Sequence, residues 1–88
     1  MNNTRQKAPS MTSYNTVEIY IPLLEEGTDT LRPTQAVPLG NNLYKILPTP
    51  DYDPEDEVWE FLPGSTVRCE KRANESVGEL LRAVEKVG

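Results

Sequence analysis

With 88 residues, 36% of them hydrophobic and 26% charged, the chain has room for one small domain, and a domain of this size buries only about 60% of its unfolded surface. Eight prolines and a mean hydropathy of −0.58 describe a loop-rich fold with a thin core, with little room for a deep substrate cleft. A formal net charge of −5, no histidine and one cysteine argue against non-specific nucleic-acid binding, against zinc sites built from Cys and His, and against an intrachain disulfide framework; the lone thiol suits a reducing compartment, the cytoplasm.

Residues 1–14, MNNTRQKAPSMTSY, hold almost nothing that could be buried and are expected to form a disordered tail. They lack the apolar run of a signal peptide or membrane span, so no membrane association is expected, and Met11 offers an alternative translational start. From Thr16 the pattern changes to TVEIYIPL. There Val17, Ile19, Ile21 and Leu23 alternate with Glu18, Tyr20 and Pro22, the period of a half-buried strand. Glu25, Glu26, Gly27 and Asp29 then take the chain through an exposed acidic loop, and Arg32-Pro33 returns it to extended structure, because proline disfavours the helical region for the residue before it.

The next segment, TQAVPLGNNLYKILP, predicts a hairpin. Asparagine tolerates the positive φ angles of a two-residue type I′ turn, so Asn41-Asn42 is placed at the turn, which sets Leu39 opposite Tyr44 and Val37 opposite Ile46. Pro38 cannot donate a ladder hydrogen bond and predicts an edge or a bulge at that point. Residues 51–61, DYDPEDEVWEF, then gather six carboxylates and three aromatic rings. Their first part predicts a solvent-facing loop, and Trp59 and Phe61 share the inward face of a fourth strand. Pro63-Gly64 makes a turn, and STVRCEKR resumes the alternation with Val67 and Cys69 inward.

The last segment, NESVGELLRAVEKVG, has a different period. Ser76 and Glu79 match a capping box, and Val77, Leu80, Leu81, Val84 and Val87 recur at helical spacing. The expected architecture is therefore mainly β: a five-stranded antiparallel, SH3-like, partly open barrel over residues 15–72 and a C-terminal amphipathic helix over 73–88, packed on the barrel or mediating a homodimer.

The stretches EIYIPLLEEGTDTLRPTQAVPLGNNLYKI and DYDPEDEVWEFLPGSTVRCE resemble a family of small uncharacterised bacterial proteins. Its pattern is a strand, L-x-E-G-T-D-x-x-R-P, a hairpin, then E-x-W-E-F-x-P-G-x-x-V-x-C. The resemblance spans Val17 to Glu70 and implies strand and turn boundaries; it implies no reaction. The family pattern often has tryptophan before Arg-Pro, where this chain has Leu31.

No residue set meets the demands of catalysis. A like-charged run interrupted by Pro54 does not separate a general acid from a general base. As a calcium loop, 51–62 places Asp56 where an EF-hand needs glycine and Leu62 where it needs a bidentate glutamate. Without histidine nothing activates Ser65, Thr66 or Cys69, and Cys69 reads as a core residue. Neither cofactor nor metal is expected. The expected function is that of a non-enzymatic interaction module, regulatory or inhibitory, that meets a partner with a basic surface. The candidate contacts are Glu25, Glu26, Asp29, Arg32, Asp51, Tyr52, Asp53, Glu55, Asp56 and Glu57, or a barrel edge. The alternative is a nucleic-acid-binding barrel using Lys45, Arg68, Lys71 and Arg72, with exposed tyrosines as stacking platforms.

Overall fold

The fold is taken from a computed structural model, which describes residues 15–27 and 30–88; the expected tail at 1–14 and the acidic-loop residue Asp29 lie outside the described residues. Six strands form one sheet: β1 Val17–Leu24, β2 Leu31–Gly40, β3 Leu43–Ile46, β4 Val58–Trp59, β5 Thr66–Asn74 and β6 Gly78–Lys86. Five of them, β1-β2-β3-β5-β6, hydrogen-bond in a ring, so the fold is a small β-barrel; β4 adds to the end of β1 outside the ring. Ring neighbours are antiparallel except β1 and β6, which run parallel.

Inward-facing residues come from alternate positions, as the pleat requires. Ile19 and Ile21 on β1, Ala36 on β2, Ile46 on β3, Val67 and Cys69 on β5 and Ala83 on β6 are buried in one cluster. Trp59 and Phe61, which follow one another on the same face, join that cluster at 2% and 8% exposure. The inward assignments made from alternation on β1, β5 and residues 58–61 therefore hold.

Turn chemistry also follows the residues. Asn41 and Asn42 both have positive φ, 55° and 64°, so they form the expected two-residue turn. The register beyond it differs from expectation. Leu39 bulges out between Pro38 and Gly40, so Pro38 faces Tyr44, Val37 faces Lys45, and Ala36 faces Ile46. The bulge leaves Leu39 52% exposed and sets the small Ala36, fully buried, inward opposite Ile46. Gly64 (φ 91°) completes the Pro63-Gly64 turn, closed by a 3.1 Å hydrogen bond from the Ser65 N–H to the Leu62 carbonyl.

The expected C-terminal helix is not formed; residues 78–86 are β6, and no element among the described residues is helical. Nor is the barrel the one expected: its fifth ring strand is the segment with helical spacing, while the segment read as the fourth strand contributes only β4. Two physical reasons account for the difference. The Leu80-Leu81 doublet supplies an apolar side chain to either face of a strand, so helical spacing is not unique evidence here. An isolated helix of about eleven residues is marginal in water, whereas β6 occupies edges of both β5 and β1 that would otherwise stay open. At the turn, the Asn74 side chain accepts hydrogen bonds from Ser76 N–H (2.8 Å) and Val77 N–H (3.1 Å), and Gly78 adopts φ 88°, so Ser76 caps nothing. The bulge between Arg68 and Cys69 sets Cys69 opposite Ala83, a small pair that fits the interior.

If β6 is integral to the barrel, a chain ending at Asn74 loses its cooperative thermal unfolding transition, followed by near-ultraviolet circular dichroism. A dispensable docked helix would leave that transition in place.

Candidate functional site

Ile21 and Arg32 are directly paired across β1 and β2, so Arg32 continues the inward row of Ala36 and Thr34 to the rim of the barrel. Thr34, the one buried polar residue among the described core positions, donates its hydroxyl to the Leu47 carbonyl at 2.6 Å. At the rim, Arg32 forms a two-point ion pair with Glu57: Nε donates to Oε1 at 3.0 Å and Nη2 donates to Oε2. The same Oε1 accepts from the indole Nε1–H of Trp59 at 3.2 Å. The Tyr52 and Trp59 rings pack edge to face, with centroids 4.7 Å apart and planes at 68°. Hydrogen bonding to Arg32 holds the Glu57 carboxyl below its ordinary value against the opposing effect of burial, and the Glu57 carboxylate raises Arg32 in turn.

This latch shapes the acidic loop. The Tyr52 N–H donates to the Thr49 carbonyl at 3.1 Å. Asp53 then starts a single turn: its side chain accepts from Glu55 N–H at 2.9 Å, and its carbonyl accepts from the N–H groups of Asp56 (3.0 Å) and Glu57 (3.1 Å). Pro54 suits the first position of such a turn, where no N–H is needed. Asp51, Asp53, Glu55 and Asp56 are exposed and have no ion-pair partner among the described residues. Glu25 and Glu26 are also exposed, and the pairing of Leu24 with Val58 sets their loop beside the 51–57 loop. The structure thus brings together acidic residues about thirty positions apart in the chain. Arg32, Glu57 and Tyr52, with Asp53 at the turn, are engaged in holding the loop; Glu25, Glu26, Asp51, Glu55 and Asp56 are displayed.

The cationic set is arranged differently. Arg68 donates to Glu85 at 2.9 Å and to Glu70 at 2.8 Å, and Arg72 donates to Glu70 at 2.7 Å. These bonds raise Arg68 and lower Glu70. Lys45 is exposed on β3, while Lys71 follows the inward row of Val67 and Cys69 and so projects from the face opposite Arg68 and Arg72. The four cations do not form one groove. The counter-ion Glu70 was visible in the sequence, since R-C-E-K-R puts Arg68, Glu70 and Arg72 on one strand face; Glu85 was not, because its strand was expected to be a helix. Cys69 is buried and its thiol is pushed up to about 11 by desolvation, which leaves little thiolate at neutral pH.

Among the described residues no group of His, Cys, Asp and Glu has the arrangement of a metal site, and no helix is long and apolar enough to cross a membrane. No protein-family model, curated protein or solved structure matches the chain. The two motif stretches noted in the sequence nevertheless meet in space: Arg32 of the first binds Glu57 and, through it, Trp59 of the second.

Glu57→Ala removes the acceptor of both Arg32 and the buried indole, and is expected to lower stability by about 1–3 kcal/mol in urea unfolding followed by Trp59 fluorescence. Glu57→Gln retains an acceptor for the indole and should cost less. Because the Glu57 carboxyl is depressed in the folded state, its contribution is complete above the ordinary glutamate value of about 4.3 and is lost as pH falls through the depressed value. The difference in urea midpoint between the native chain and Glu57→Gln should therefore shrink between pH 6 and pH 3.

Proposed function

We propose that the protein is a non-enzymatic interaction module, a regulatory or inhibitory accessory protein of the bacterial cytoplasm, whose acidic barrel end engages a partner with a basic surface. The observation that carries this reading is the convergence of the 25–26 and 51–57 loops at one end through the Leu24–Val58 pair, with Glu25, Glu26, Asp51, Asp53, Glu55 and Asp56 exposed. The latch from Arg32 to Glu57 and Trp59 holds the longer loop in one shape, which reduces the ordering cost of binding. Charges displayed in this way steer encounter and select against acidic partners more than they supply affinity. Binding through the nucleic-acid alternative is disfavoured by the carboxylates that already occupy Arg68 and Arg72.

The test is affinity capture from bacterial lysate with the native chain and with Asp51→Lys/Glu55→Lys/Asp56→Lys, which leaves Asp53 and Glu57 in their structural roles. The reading expects a partner that is recovered by the native chain, is lost in the triple variant and is retained in Lys45→Ala/Lys71→Ala. Recovery unaffected by the triple variant overturns it, as does salt-sensitive binding of a fluorescent single-stranded RNA that the lysine variant abolishes.

A further inference from the structure

The ring of strands is held unevenly. β5 and β6 pair over eight positions and β1 and β2 over six, but the parallel contact that closes the ring is one residue pair long, Tyr20 with Arg82. On the N-terminal side of that pair, residues 17–19 of β1 and 78–81 of β6 are strands with no ladder between them. A depression of about 400 Å³ lies over this seam. One wall is Glu18 and Tyr20; the other is Glu79, Leu80 and Leu81, with Val77 at the turn. Strand edges without a partner present main-chain donors and acceptors to any extended segment that fits between them.

The charge of the walls indicates what would fit. By alternation Glu18 lies on the outer face of the barrel wall and Glu79 on the inner row, so each face of an added strand would meet one exposed carboxylate. Leu80, 6% exposed, and the half-buried Leu81 supply the apolar contact between them. Lys71, beside Leu81, leaves the lips at Glu18 and Glu79 as the positions for cations. Two of the nine basic residues, Arg5 and Lys7, and none of the fourteen acidic ones precede Asn15, so residues 15–88 carry a net charge of −7, a field that favours approach of a cationic segment.

We propose that the seam between β1 and β6 is a strand-addition site for an extended peptide in which cationic residues are interspersed with apolar ones. This site is separate from the acidic barrel end: Glu18 lies near the start of β1, whereas Leu24, at its other end, borders the acidic loops.

The probe is the blocked peptide acetyl-Lys-Val-Lys-Val-Lys-Val-amide, titrated into the full chain and followed by amide chemical shifts. The expected result is saturable change at Glu18, Ile19, Glu79, Leu80 and Leu81, at least tenfold weaker binding to Glu18→Lys/Glu79→Lys, and loss of binding by the same peptide N-methylated at alternate residues. The N-methylated peptide keeps charge and side chains but cannot form a ladder, so it separates strand addition from simple charge attraction on the unaltered protein. Equal binding of the N-methylated peptide, shifts confined to residues 51–57, or no binding overturns the proposal. Unchanged seam binding by Asp51→Lys/Glu55→Lys/Asp56→Lys is also expected, which keeps this outcome independent of the acidic-end reading.

Discussion

The two-point bond between Arg32 and Glu57 is the constraint on which the acidic end of this barrel depends. Arg32 occupies an inward position at the end of β2, where an unpaired guanidinium would be partly stripped of water; Glu57 neutralises it and with the same carboxylate accepts the Trp59 indole N–H. One side chain thus satisfies two donors that otherwise face the rim of the core. Because Glu57 ends the acidic turn and Trp59 fills the barrel, the latch couples loop shape to core packing. Tyr52, packed edge to face with Trp59, extends that coupling to the start of the loop.

Closure of the ring depends on β6. A small barrel has few ways to protect its edges, and here the last strand covers β5 along most of its length and touches β1 at one parallel pair. The long antiparallel hairpin provides most of the order in β6, and the seam with β1 is left short. The uneven closure leaves a depression beside the start of β1, next to Leu81, which packs against the core.

Charge placement separates the two surfaces that the composition leaves undistinguished. On the outer face of β5 and β6 the arginines and glutamates compensate one another, so that region carries little field despite its content of charged groups. Where the acidic loops meet, Glu25, Glu26, Asp53, Glu55 and Asp56 form no such ion pairs among the described residues, and repulsion among them is tolerated because they are solvated and the 51–57 loop is set on turns that hydrogen-bond internally. The excess negative charge of the whole chain is therefore expressed mainly where the two acidic loops meet.

Local chemistry alone determined a good part of this protein. The period-two alternation of residues 17–21, the asparagine pair that accepts positive φ, the Pro-Gly turn and the inward direction of Trp59, Phe61, Val67 and Cys69 depend on neighbours within a few positions, and each is found as the sequence implies, whereas Pro22, expected outward, is buried. Three matters were decided only by tertiary structure. The segment 78–86 became a strand because open edges on β5 and β1 outweigh a marginal helical preference, and its leucine doublet suits either period. The Leu39 bulge shifts the hairpin register so that Ala36, and not Val37, lies inward opposite Ile46. The roles of the described candidate contacts divided because Arg32 and Glu57, twenty-five residues apart, share a bond that no local pattern encodes, which turns these two, with Tyr52 beside Trp59, from display to support.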